Sequence, residues 1–252
     1  MVSLPFRDRD EAARQLAAAL VRYRDAHPVV LAIPRGAVPM AKIIADALHG
    51  ELDVVLVRKL GAPGNPEFAI GAVDEQGRVT LGDHAGWVGA DEAYFQREAQ
   101  HQLALIRERR AHYRPRQPPL DLAGRTVIVL DDGLATGATM MAALKSVRAQ
   151  APKWLVCAVP VAAADSLAQV APLADDVVCL AQPRPFIAVG RHYLDFTGVT
   201  DAQVIDLLAG PASGDAAATS IHPVHIPAAG VVLDGDLVSP PSPQGLVIFV
   251  HG

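Results

Sequence analysis

The stretch VIVLDDGLATGAT, Val127 to Thr139, sets two adjacent carboxylates at the end of an apolar run and follows them at once with a small-residue loop carrying two threonines. Such a run reads as a buried strand, and because side chains alternate along a strand, Asp131 and Asp132 must leave its end on opposite sides. The loop beyond has to turn sharply through Gly133 and Gly137. Thr136, Gly137, Ala138 and Thr139 then offer consecutive backbone N–H groups and two hydroxyls at the start of a helix, which is a cradle for a phosphate. Carboxylates would repel that phosphate. They suit the hydroxyls of a sugar, or a magnesium ion that offsets the charge, and together these groups imply a phosphorylated ribose.

Helix and strand signals alternate on both sides of this stretch. Arg9 to Asp25 is helical in pattern, with Ala13, Leu16, Ala17, Leu20 and Val21 on one face, and His27-Pro28 ends it. Val29 to Pro34 is an apolar strand, Arg35-Gly36-Ala37 a tight loop, and Pro39 to Leu48 a helix with proline in its first turn. LDVVLVRKL, Leu52 to Leu60, reads as one further strand, whereas GAPGNPEF, Gly61 to Phe68, is too rich in glycine and proline for regular structure. FAIGAVD and GRVTL are strands divided by a turn at Glu75-Gln76-Gly77, and Asp91 to Tyr113 is a long charged helix. Its basic run RERRAHYRPR reads as a solvated face. TVIVL, WLVCAVPV and DVVCLAQ are strands separated by helices over Ala138 to Gln150 and Ala164 to Leu173. This alternation predicts an α/β fold, a parallel sheet flanked by helices, with ligands beyond the carboxyl ends of its strands. Arg35-Gly36, Arg58-Lys59 and Asp131-Asp132 all fall at such ends.

VIVLDDGLATGAT resembles the phosphoribosyl pyrophosphate (PRPP) motif of the type I phosphoribosyltransferases: an apolar strand, two acids, a variable triplet, then Thr-Gly-x-Thr. AIPRGAVP, VRKLGAPGNPEFAIGAV and QPRPFIAVGRHYLDFTGVTD are similar to a bacterial group of that family whose acceptors are unassigned, and the resemblance spans Met1 to Leu208. It implies the type I phosphoribosyltransferase fold with a small hood over residues 1–210, a homodimer, and a magnesium-dependent transfer from PRPP to a nucleobase or related heterocycle with release of pyrophosphate. Asp131 and Asp132 would hold the ribose hydroxyls, directly or through Mg2+, and Ala135, Thr136, Gly137, Ala138 and Thr139 would wrap the 5′-phosphate. Arg35, Gly36 and Ala37 correspond to the pyrophosphate loop. Arg58 and Lys59 stand on the pyrophosphate side, just before a mobile loop, Gly61 to Phe68, that carries Glu67. Hypoxanthine-type members place an acid immediately before the Thr-Gly pair, where this chain has Ala135. Proton handling there is excluded, and Glu67, Asp74 and Glu75 are the carboxylates left nearby. Phe186 or Tyr193 of the hood could stack on a base or pack in the core.

Composition narrows the setting. A net charge of −5 over 252 residues, with a pI near 6.0, supplies no basic field for nucleic acid, so any phosphate must be held locally. Cys157 and Cys179 lie in apolar strands and read as reduced thiols. The charged start MVSLPFRDRDEAAR and the lack of any run of roughly 18 apolar residues lead us to expect a cytoplasmic protein without a membrane segment. Residues 211–221 read as a small-residue linker. Residues 222–252 resemble the opening strands of a dienelactone hydrolase-type α/β-hydrolase, ending at His251-Gly252 without a G-x-S-x-G elbow, so an incomplete, inactive unit is expected there. A PRPP-sensing regulatory module without turnover is the second functional reading. Such regulators usually add a DNA-binding domain, for which the N-terminal helix is too short.

Overall fold

The computed structural model describes residues 4–82, 91–114, 118–209, 220–228 and 231–239, with the side chains of residues 66–67 and 220–239 outside that description. Helix α1 (Arg9–Ala19) leads through a 3-10 turn, Val21–Ala26, to β1 (Val29–Ala32), α2 (Ala37–Leu48) and β2 (Glu51–Val54). A small sheet of β3 (Val57–Ala62), β4 (Asn65–Asp74) and β5 (Val79–Leu81) follows, then α3 (Glu92–Tyr113). The chain continues through β6 (Thr126–Leu130), α4 (Ala138–Arg148), β7 (Trp154–Val161), α5 (Ala164–Val170), β8 (Asp176–Ala181) and α6 (Asp201–Ala209). It divides into two units, Met1–Leu208 and Ala209–Gly252. In the second, β9 (Ser220–Ala228) and β10 (Val231–Ser239) form an antiparallel hairpin in which Ala228 pairs with Val231. The expected linker lies largely, and the third hydrolase-like strand wholly, outside the described residues.

The main sheet has the order β2-β1-β6-β7-β8, and every pair in it is parallel. Its strands are apolar without interruption because both faces are covered. Val30, Ala32, Ile128, Leu130, Val156 and Ala158 share one core with Leu16 of α1 and Ile44 of α2. Their sequence neighbours Val29, Leu31, Val127, Val129, Leu155 and Cys157 form the other core with Leu144 and Val147 of α4. Each large side chain buried here contributes about 1.5–3 kcal/mol. Both cysteines are free, Cys157 fully buried and Cys179 half-buried.

Three expected elements are corrected. Leu52 to Leu60 is not one strand: β2 pairs with β1, and beyond Val55 and Leu56 the chain leaves the main sheet as β3 to pair with β4. An apolar run records burial and is silent about which sheet supplies it. Gly61 to Phe68 is the end of the β3–β4 hairpin rather than an irregular loop; its turn falls at Pro63-Gly64, where Gly64 adopts φ 73°. The helix expected to reach Asp25 is α-helical only to Ala19, and His27 ends the following 3-10 turn at φ 44°.

The basic run of α3 is not wholly solvated either. Helical spacing puts Ile106, Arg110, Tyr113 and Arg114 on the inner face. The Arg110 guanidinium reaches Asp53 Oδ1 at 2.7 Å, Glu75 Oε1 at 2.6 Å and the Val54 carbonyl at 2.9 Å, while Arg114 Nε lies 3.3 Å from Asp53. Asp53 is 1% exposed. Burial acts to raise the Glu75 carboxyl, and the Arg110 charge opposes that rise. This cluster joins α3, β2 and the β4–β5 turn. Arg110→Ala would leave buried Glu75 without its arginine while Asp53 keeps Arg114, and is expected to cost about 3 kcal/mol of unfolding free energy, read by urea denaturation.

Candidate active site

Parallel pairing of β1 with β6 sets two loop starts side by side. Ala32 pairs with Leu130, and Ile33 N–H donates to the Leu130 carbonyl at 2.9 Å. Beyond β1 the chain passes through a cis Pro34–Arg35 peptide into α2, and beyond β6 it reaches Asp131 and Asp132. The two loops touch: a Cβ built on Gly36 would lie 2.3 Å from Asp132 Oδ2 and 3.1 Å from Arg9 Nη2. With Asp132 in this orientation a Cβ has no room there.

The carboxylates differ in surroundings. Asp131 Oδ1 accepts the Asp132 N–H at 2.9 Å. Burial, then the neighbouring Asp132 charge, push its carboxyl up to about 8. Asp132 Oδ2 instead accepts Nε and Nη2 of Arg9 at 2.9 and 2.8 Å. The Asp132 carbonyl accepts the Tyr193 hydroxyl at 2.7 Å. Burial, then the Asp132 charge, raise the Tyr193 hydroxyl well above its ordinary value, so it stays a donor. Among the described residues, no group of three His, Cys, Asp or Glu side chains gathers as a cation site. Two carboxylates suit magnesium, which takes one or two from a protein and completes its shell from substrate phosphates and water.

The cradle is open. Gly137 caps α4 at φ 73°, and the first N–H groups of that helix have no partner within it. Ala135, Thr136 and Thr139 are exposed around it, with Ala138 half-buried. From beneath, Ser166 Oγ donates to the Ala135 carbonyl at 2.5 Å, and Leu134 N–H donates to Val161 O at 2.9 Å. Above Gly133 sits the 3-10 turn Val189–His192, so close that a Cβ on Gly133 would meet Val189 at 2.6 Å.

The cationic residues separate. A cleft of about 70 Å³ is lined by Ile33, Pro34, Arg58, Ile106, Arg109 and Thr139, so Arg58 and Arg109 share it with both loops. Arg58 Nε donates to Gln102 Oε1 at 2.6 Å. Exposed Arg35 lies 3.9 Å from Asp201 Oδ1, beside a wider cavity of about 530 Å³ bordered by Arg58, Arg109, His112 and Asp201. Lys59, next to Arg58 on β3, takes the opposite face, is exposed, and borders neither space. Ala37 is buried at the start of α2. Glu67 lies in β4, and its side chain is outside the described ones.

Asp74 and Glu75 are taken by other work. Asp74 accepts Gln76 N, Arg78 N and Ser146 Oγ at 3.0, 2.9 and 2.9 Å, and Glu75 is held by Arg110. Tyr193 belongs to the core, 5% exposed, its ring 5.7 Å from Phe6 and 5.0 Å from Phe196. Phe186 sits 5.0 Å from the His192 ring. The sequence reading missed Arg9 and Arg109. Arg9 is brought in because the segment before α1 pairs with the hood: Phe6 N–H donates to His192 O and Leu194 N–H to Phe6 O, both at 2.8 Å. Its only sequence signal was an arginine one residue beyond a capping aspartate.

A five-stranded parallel sheet flanked by helices is the type I phosphoribosyltransferase fold. Residues 7–193 match the model of the phosphoribosyl transferase domain, and the chain belongs to that family. Two Mycobacterium tuberculosis proteins provisionally named phosphoribosyl transferase, MT0597 and Rv0571c, are each 40% identical in an alignment of 258 positions, gaps included, that covers 98% of this chain. The chain spans 58% of the length of these curated relatives. TT1426 from Thermus thermophilus, a crystal structure, shares 48% identity with a TM-score of 0.74, covering 81% of this chain and 98% of its own.

The raised Asp131 carboxyl carries a stability consequence. It holds its proton to about pH 8 when folded and only to its ordinary value, near 4, when unfolded. The fold therefore loses stability as pH rises between those values. Asp131→Asn removes this loss, so melting is expected to rise by about 10 °C at pH 9 with little change at pH 4, read by thermal denaturation.

Proposed function

We propose that the chain binds PRPP with magnesium and transfers its phosphoribosyl group to a nucleobase or related heterocycle, releasing pyrophosphate. One observation supports this reading: the strand end carrying Asp131 and Asp132 meets the Gly36 loop and runs on into the Gly137 turn, so ribose hydroxyls, pyrophosphate and 5′-phosphate would each find chemically suited groups. Residues Ala135 to Thr139 hold the 5′-phosphate through backbone N–H groups and the two threonine hydroxyls. The acidic pair accepts hydrogen bonds from the ribose hydroxyls and sets negative charge near a ring that becomes cationic as its C1–O bond breaks. Pyrophosphate leaves toward Gly36-Ala37, Arg35 and Arg58, whose guanidinium groups answer its growing charge. Magnesium, when bound, would add neutralisation of the pyrophosphate oxygens. Lys59 and Glu67 ride on the β3–β4 hairpin and join the site when that hairpin folds over bound substrate and excludes water.

The acceptor proton has no protein carboxylate at Ala135, and Asp74 and Glu75 are engaged elsewhere. This leaves Glu67, solvent or the acceptor itself to take it. The same shortage favours the second reading, a PRPP sensor without turnover. The 222–252 segment is read as the incomplete opening of a hydrolase-like unit with no catalytic part in the transfer, and the transferase unit as a cytoplasmic homodimer.

Pyrophosphate release from PRPP and magnesium, screened over purines, pyrimidines and small amines, is expected with at least one acceptor. PRPP binding without release from any of them selects the sensor. Replacing both Asp131 and Asp132 with asparagine should weaken PRPP by at least about tenfold in calorimetric titration; unchanged affinity would remove the site described.

A further inference from the structure

We infer that Arg9 is a positioning residue of the donor site, holding one oxygen of Asp132 so that this carboxylate addresses the ribose through the other. The inference rests on the PRPP reading above. Asp132 Oδ2 is enclosed on three sides, by Nε and Nη2 of Arg9 at 2.9 and 2.8 Å and by the backbone of Gly36, which leaves no room for a Cβ. A substrate hydroxyl has access to Oδ1.

Arg9 is itself fixed. It is the first residue of α1, directly after Asp8, whose carboxylate caps the helix through Glu11 N–H at 2.7 Å. Its Nη1 donates to the Thr197 carbonyl at 2.8 Å, and its guanidinium carbon lies 3.8 Å from the centre of the Phe196 ring. The Phe196 ring in turn contacts Tyr193, which donates to the Asp132 carbonyl. One stack thus grips Asp132 at both its side chain and its backbone. With side-chain exposures of 12% and 16%, the Arg9–Asp132 pair is shielded from the screening that makes surface ion pairs weak. Two donors from one guanidinium onto one oxygen, a third onto a carbonyl and a face on an aromatic ring require the planar fork of arginine; lysine supplies the charge alone. These contacts set a direction for a substrate-facing carboxylate, which sub-ångström placement makes consequential for binding.

The test compares wild type, Arg9→Gln and Arg9→Lys by calorimetric titration with PRPP plus magnesium, with ribose 5-phosphate, and with magnesium pyrophosphate. Arg9→Gln is expected to weaken PRPP and ribose 5-phosphate by about tenfold or more while pyrophosphate changes less than about twofold, with Arg9→Lys between. Equal loss for all three ligands would mean a merely structural role and overturn the inference, as would unchanged PRPP affinity in Arg9→Gln. Wild type that fails to bind PRPP would overturn the donor reading and this inference with it, an outcome visible before any variant is made. Should Arg9→Gln fail to fold, Phe196→Leu, which removes the platform under the guanidinium, is expected to give a smaller selective loss for the ribose-bearing ligands; no loss, or loss for pyrophosphate as well, overturns the inference.

Discussion

The in-register parallel pairing of β1 with β6 is the constraint on which the site depends. Because Ala32 lies opposite Leu130, the two strands end at the same level, and the loops that follow must share one small space. Gly36 is the cost of that sharing, since any side chain would enter the Asp132 carboxylate. A slip of one residue would turn Asp131 and Asp132 over and exchange the two cores that alternate through the sheet. The same apolar packing that stabilises the fold therefore fixes the geometry of its polar edge.

Two ionic clusters illustrate opposite uses of charge. Around Asp53, two arginines meet two carboxylates, and backbone groups take up further lone pairs; the cluster is balanced and ties α3 to the sheets. At the end of β6, two carboxylates meet a single arginine that serves only one of them. Among the described residues Asp131 has no arginine of its own, and burial, then the Asp132 charge, push its carboxyl up to about 8. A carboxyl kept neutral by burial costs the fold stability as pH rises, a cost of the kind functional sites commonly carry.

The parallel strands and the glycine turn into α4 were legible in the chain because buried parallel strands and a glycine-turned helix start leave strong local patterns. Asp131, Asp132 and Gly137 could be placed by counting along one strand. Arg9 could not: its partner is 123 residues away, and nothing near α1 announces a carboxylate. Arg110 was misread for the same reason, since a basic run looks solvated until its acidic partners arrive from β2 and the β4–β5 turn. Lys59 and Arg58 looked equivalent in sequence, yet alternation along β3 sends only Arg58 toward the cleft. The sheet change after β2 was hidden because apolar residues on both sides of Val55 and Leu56 satisfy either sheet.

The pairing of the segment around Phe6 with residues 192–195 closes the transferase unit on itself. A chain emerging from the ribosome can assemble β1, α2 and β6 as soon as each appears, but Arg9 has no carbonyl to meet until Thr197 follows, 188 residues later. Contacts of such long sequence separation form late, after the entropy of closing the intervening loop has been met. The order of synthesis thus leaves the acidic site unfinished until nearly all of the transferase unit has been made, and a nascent chain presents the acidic pair without a fixed Arg9 from the emergence of Asp132 until that of Thr197.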